Sequence, residues 1–167
     1  MKTSSKYSRS DFFKSAGLAA GAAVVAGGKA QAAEETPLES GVKLRRLGKA
    51  DLKLPVMSLG TAPGQEPNVI KFAIAQGMNF LHTSTQYKGG VSISNVAEAI
   101  KGQRDKVILG LKITWDPDDD EAMDAALKTL GVDSVDIAFF NIHNAGEVRD
   151  PKYKAGAERW KKMGKFD

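Results

Sequence analysis

The stretch Lys106-Val107-Ile108-Leu109-Gly110-Leu111-Lys112 decides the fold. Between its lysines runs a short, unbroken apolar segment, which suits a strand covered on both faces better than a helix. Strands of that kind belong to parallel sheets, whose crossovers are helices. Working outward, Pro55 to Thr61, Met78 to Leu81 and Val135 to Ile142 read as further strands around the one over Lys106 to Leu111. Helical segments separate them. Pro67 to Gln76 puts Val69, Ile70, Ala73 and Ile74 on one stripe, with Gly77 as its cap. A second helix, capped by Ser92 or Ser94, runs to Lys101 with Val96, Ala97 and Ile100 inward. Pro117 and its acidic neighbours open a third through Met123, Ala126, Leu127 and Leu130, closed by Gly131. The last runs from Lys152 to Met163, with Tyr153, Ala157, Trp160 and Met163 at helical spacing. Ahead of all this, Val42 to Leu54 alternates about the turn Gly48-Lys49-Ala50-Asp51, a hairpin pattern.

Four βα units in succession predict an α/β fold with parallel strands and right-handed crossovers. The repeat length suits a (β/α) barrel or a doubly wound sheet. A closed barrel takes eight strands and about 250 residues, so four units make a partial (β/α)8 barrel preceded by a β-hairpin.

Charge and composition exclude several partners. The formal charge of +4 over 167 residues lies wholly in residues 1–32, where Lys2, Lys6, Arg9, Lys14 and Lys29 face the single acid Asp11. The remainder is neutral, which argues against a nucleic-acid groove. The chain has no cysteine, so disulfides, thiolate metal sites and a cysteine nucleophile are out.

Residues 1–32 read as a signal peptide, with a basic start, an Ala/Gly-rich run from Ala16 to Gly28 and a small-residue cleavage site at Ala30-Gln31-Ala32. That run falls short of the roughly 20 apolar residues a membrane span needs, so no permanent anchor is expected. Ser8-Arg9-Ser10-Asp11-Phe12-Phe13-Lys14 resembles a twin-arginine export signal with Ser10 in place of one arginine. The expectation is recognition by export machinery and a periplasmic product, with general secretion as the alternative route. Residues 33–41 read as a polar linker and 42–167 as the folded body.

In parallel α/β folds ligands bind at the carboxyl ends of the strands. Here those ends are Thr61, His82, Lys112 and His143, with Tyr87 in the loop after His82. A phenol, an ammonium and an imidazole around one mouth make a proton-transfer set: acid, charge partner and carbonyl-orienting group. Trp115, just past Lys112, is placed to line a substrate pocket together with Thr61. A structural role is the bland reading for either histidine. A metal held by His82 and His143 lacks a nearby carboxylate, and none is expected. The acids Asp116 to Glu121 lack the alternation of a calcium loop and suit a helix start. Lys88-Gly89-Gly90 matches no phosphate-binding pattern.

Several segments in order, Leu44-Arg45-Arg46-Leu47-Gly48, Leu59-Gly60-Thr61, Gly77-Met78-Asn79-Phe80-Leu81-His82-Thr83, Arg104 to Lys112, and Leu130-Gly131-Val132-Asp133 through His143, resemble the aldo-keto reductase family. The resemblance implies a (β/α)8 barrel that moves a hydride between NADP(H) and a small carbonyl substrate. It places Tyr87 at the proton donor, Lys112 at the lysine that assists it, and His143 at the substrate-orienting histidine. His82 stands where the family has an aspartate. Trp160 to Asp167 resembles the lead-in to a fifth strand. The resemblance puts the cofactor-binding strands and loops beyond it, so a truncated chain with doubtful cofactor binding is the expectation. Exposed barrel edges would favour self-association. The alternative function is a catalytically silent barrel remnant or binding module.

Overall fold

The computed structural model describes residues 41–166. The signal peptide over 1–32, and all of the 33–41 linker but Gly41, lie outside the described residues. Alternation in the first described segment produces the expected hairpin: β1 (Leu44–Arg46) and β2 (Lys53–Pro55) pair antiparallel, with Leu44 opposite Pro55. Pro55 therefore ends the hairpin and does not open the next strand, which is a correction to the expected strand over Pro55 to Thr61. That strand, β3, is only Leu59–Gly60.

Four strands follow one another as a single parallel sheet in the order β3-β4-β5-β6, where β4 is Phe80–Thr83, β5 is Ile108–Ile113 and β6 is Ile137–Phe140. Helices α1 (Pro67–Ala75), α2 (Val91–Ile100) and α3 (Asp120–Leu130) make the crossovers, and α4 (Ala145–Arg149) and α5 (Pro151–Lys162) follow β6. This is the α/β arrangement of a partial barrel with four βα units. Register assigns the two faces of the sheet, because neighbouring residues on a strand point to opposite sides. Leu81, Leu109, Leu111 and Ile113 face the helices and are buried together with Ile70, Ile93, Val96, Ile100, Met123, Leu127 and Leu130. Each such aliphatic side chain contributes about 1.5–3 kcal/mol by leaving water. The opposite face carries Phe80, His82, Ile108, Gly110, Lys112, Ile137 and Phe139, with His82 paired to Gly110 and Phe139 to Lys112.

Several boundaries differ from expectation for identifiable reasons. Helix α2 starts at Val91 behind the left-handed Gly90, with no side-chain cap. Ser92 points inward and Ser94 donates to the Gly90 carbonyl, so neither is the cap. The cap of α3 is Asp119, whose carboxylate accepts the Ala122 amide, and Gly131 closes the helix in the left-handed conformation as expected. Pro117 sits outside α3 and packs against Gly156 of α5, where a Cβ would come within 2.6 Å of the proline ring. The strand expected from Val135 begins only at Ile137. Val135 forms a parallel bridge with Phe166, and the Asp136 carboxylate accepts the Leu109 amide at 2.7 Å and Arg104 Nη2 at 2.8 Å. Asn144, accepting from the Gly146 and Glu147 amides, creates the short helix α4 that sequence reading does not anticipate.

Candidate active site at the carboxyl ends of the strands

The site is built on the face of the sheet turned away from the helices. Alternation along β4 and β5 puts His82 and Lys112 on that face. After β4 the chain makes one tight turn, Tyr87–Gly90, in which Lys88 takes a positive φ of 51° and Gly89 one of 62°. The turn brings the Tyr87 ring edge-on to His82, centroids 5.9 Å apart, and under the Lys112 ammonium, which lies 5.4 Å from the ring centre. His82 also meets Phe139 of β6 edge-on at 5.0 Å, and Phe139 meets Phe80 at 6.4 Å. The two phenylalanine rings close over Gly110, where a Cβ would come within 2.8 Å of Phe139.

A buried chain of hydroxyls holds this arrangement from behind. Thr61 donates to the His82 carbonyl at 2.6 Å, and Ser92 donates to Thr61 Oγ1 at 2.9 Å. Thr83 lies 2.9 Å from Ser92, and since Ser92 has spent its proton on Thr61, Thr83 is the donor there. All three residues are buried. The chain thus ties the end of β3, the end of β4 and the first turn of α2 together, clamping both ends of the loop that bears Tyr87. Ser84 adds a link to the neighbouring strand by donating to the Lys112 carbonyl at 3.3 Å. Thr61, expected near the substrate, thus spends its hydroxyl on the backbone.

Burial, and after it the Lys112 ammonium, holds the His82 imidazole below its ordinary pKa range. Its Nε2 is buried without a hydrogen-bond partner. His143 lies past the end of β6 with its side chain 70% exposed, beside Glu147 and hydrogen-bonded to the Asn141 amide at 3.0 Å. No hydrogen bond or ring contact joins it to Tyr87, Lys112 or His82 among the described residues. Trp115 packs against the core, and its indole Nε1 is buried without a partner. The structure thus brings Tyr87, Lys112 and His82 together, while His143 bonds Asn141 and Glu147 and Trp115 packs against the core. Phe139 and the Ser92–Thr83 pair escaped sequence reading; the former sits in an apolar strand run and the latter are ordinary small polar residues.

Comparison with known proteins meets this geometry at the level of fold. No family model matches the chain. Aldo-keto reductase AKR11C1 of Bacillus halodurans superposes with a TM-score of 0.67 over 75% of this chain and 48% of its own, at 23% identity. An aldo-keto reductase of Klebsiella pneumoniae, solved with NADP and acetate, gives 0.61 over 68% and 44%, also at 23% identity. The fold is that of the aldo-keto reductases. By sequence, an uncharacterized oxidoreductase of Bacillus subtilis (strain 168), YqkF, is 30% identical over 128 residues, or 65% of this chain and 41% of the relative. The chain therefore spans about half the length, or less, of the relatives it matches.

The described residues do not fit a whole dinucleotide. The donor set gathered at Tyr87 is one phenol, one ammonium and one imidazole, few against the several phosphate charges of NADP(H). Of the other partly buried cations, Arg104 is engaged with Asp136 and Arg159 with Asp118 and Asp120. The side chain of Lys88 lies across Gly64, so the glycine turn beside it forms no open cradle. What the mouth can do is hold one oxygen and exchange one proton with it.

Proposed function

We propose that this chain belongs to the aldo-keto reductases and carries the proton-transfer side of their carbonyl chemistry. The observation that carries the proposal is the Tyr87 phenol ring meeting both the Lys112 ammonium and the His82 ring near the carboxyl ends of adjacent strands. Tyr87 gives its proton to the carbonyl oxygen of a small substrate. Lys112 stabilises the phenolate left behind, an attraction worth a few kcal/mol at the effective dielectric of about 20 found near protein surfaces. His143, three residues past the end of β6, orients that oxygen once it exchanges Asn141 for the substrate. Reduction would also require a hydride donor, which by likeness to the NADP-bound neighbour would be a reduced nicotinamide held by residues other than those described. The leader sequence supports an exported protein. The test is reduction of a simple aldehyde by NADPH with the protein from its native source. Tyr87→Phe is expected to lower kcat by about 10²–10⁴-fold, the usual worth of a positioned acid. A Tyr87→Phe variant that turns over as well as the natural protein, or a natural protein with no NADPH-dependent turnover at all, overturns the reading.

A further inference from the structure

Of the described lysines and arginines, five are partly buried: Arg104, Lys112, Lys152, Arg159 and Lys165. Four of them meet a carboxylate within 3.0 Å: Arg104 has Asp136, Lys152 has Asp116, Arg159 has Asp118 and Asp120, and Lys165 has Asp124. Lys112 meets none among the described residues, and its ammonium lies over the Tyr87 ring. Next to it, the His82 Nε2 is buried with no partner. A partly desolvated ammonium without a counter-charge and a buried nitrogen without a hydrogen bond are each costly, and both are relieved by the same ligand. Both side chains belong to the sheet face turned away from the helices, where Tyr87 and Phe139 pack against His82.

We propose that His82 and Lys112 together form a binding site for a small carboxylate. One carboxylate oxygen accepts from the Lys112 ammonium and from His82 Nε2–H, at short, charge-assisted distance. The inference rests on the site reading and narrows it: the ligand is either the acid group of a carbonyl substrate, as in a 2-oxo acid, or a free small acid that supplies the missing counter-charge. The groups that face His82 are Lys112 from β5 and Tyr87 from the loop, while β3 and β6 present only Thr61 and Phe139. No acid is among them. Binding therefore draws a proton onto His82, and affinity weakens as pH rises, by up to about tenfold per pH unit.

The chain has two histidines, so ring-proton NMR of the full chain reads the site directly. Formate, glyoxylate and acetaldehyde are titrated at constant ionic strength, without nicotinamide. The expected result is a saturable shift of the His82 ring signals with formate and glyoxylate, none with acetaldehyde, and a steady His143. Glyoxylate binding tenfold or more tighter than formate assigns the site to a substrate's acid group. Equal affinity assigns it to a free acid. Lys112→Met is expected to weaken binding about tenfold to a hundredfold, the worth of a charge-assisted hydrogen bond. His82→Asp, which brings its own carboxylate to Lys112, is expected to abolish it. If neither variant folds, the contrast between the two histidines of the natural chain still decides. Absence of a saturable His82 shift, or an equal shift at His143, overturns the proposal. Since no turnover is measured, failure of carboxylate binding and failure of the Tyr87→Phe test are separate results.

Discussion

The hydroxyl of Thr61 donates to the backbone carbonyl of His82 at 2.6 Å, so a residue at the end of one strand sets the height of the imidazole on the next. Each hydroxyl in the buried series has one proton, and the order Thr83 to Ser92 to Thr61 to the His82 carbonyl uses each once. Thr61→Val breaks the series in the middle and leaves both the Ser92 hydroxyl and the His82 carbonyl short of a partner. The expected cost is about 1–3 kcal/mol. Thr61→Ser retains the hydroxyl and is expected to lose only a methyl, about 1 kcal/mol. Urea unfolding compares the two, and equal midpoints would remove the hydroxyl series from the account.

His82 makes stability depend on pH in a defined window. Its folded pKa lies below the ordinary 6.5, so between the two values the unfolded chain binds more protons than the folded one. Stability from this group is present above 6.5 and is lost as pH falls through the folded value. Asp116 and Asp120 act in a lower window. The Asp118 amide and Lys152 hold Asp116 below its ordinary value, and Arg159 and Trp160 do the same for Asp120, so their contribution disappears only under more acid conditions. Thermal melts between about pH 8 and about pH 5 are expected to show a falling Tm that His82→Gln flattens in the upper part of the range. An unchanged slope in that variant would show that His82 is not the group responsible.

Gly156 sets helix propensity against packing. Alanine is favoured over glycine within a helix by about 1 kcal/mol. Here the new Cβ would come within 2.6 Å of Pro117 Cβ and 2.7 Å of its carbonyl oxygen, and neither belongs to a flexible side chain. Overpacking of this kind costs about 1–3 kcal/mol, so Gly156→Ala is expected to lower Tm. A raised Tm would mean that α5 and the segment before α3 separate easily.

The order of strands and helices was legible because hydrophobic period distinguishes the two, and the strand-end rule then located Tyr87, Lys112 and His82. What could not be read depends on contacts remote in the chain. Asp136 looks like a polar break in an apolar run, yet its carboxylate meets the Leu109 amide and Arg104 at 27 and 32 residues' separation. Ser92 matches a helix cap by type, but Gly90 in a left-handed conformation starts α2 earlier and turns Ser92 inward to Thr61. His143 reads as a strand end in sequence, yet β6 stops at Phe140 and Glu147, held four residues on by the short helix α4, accepts the His143 backbone amide at 2.8 Å.

The two tryptophans separate aromatic packing from polar satisfaction. Trp160 is fully buried and its Nε1 donates to Asp120 at 2.6 Å, whereas the buried Nε1 of Trp115 donates to nothing. Trp160→Phe is expected to cost about 1–3 kcal/mol for the stranded acceptor and lost contacts. Trp115→Phe removes an unsatisfied donor and is expected to fall within about 1 kcal/mol of the natural chain. Denaturant midpoints that reverse this order would show that Trp115 finds a partner in solution.

The missing side chain at Gly110 has a consequence for how this sequence can vary. Phe139 and Phe80 occupy the space that a Cβ there would need, at 2.8 and 3.2 Å, and Phe139 in turn stands against His82. Positions 110 and 139 therefore form an epistatic pair: a larger residue at one is tolerated only with a smaller ring at the other, and the exchange carries the imidazole with it. Drift in the floor of the site is thereby coupled to its chemistry, and a lineage changing one must pass through the other.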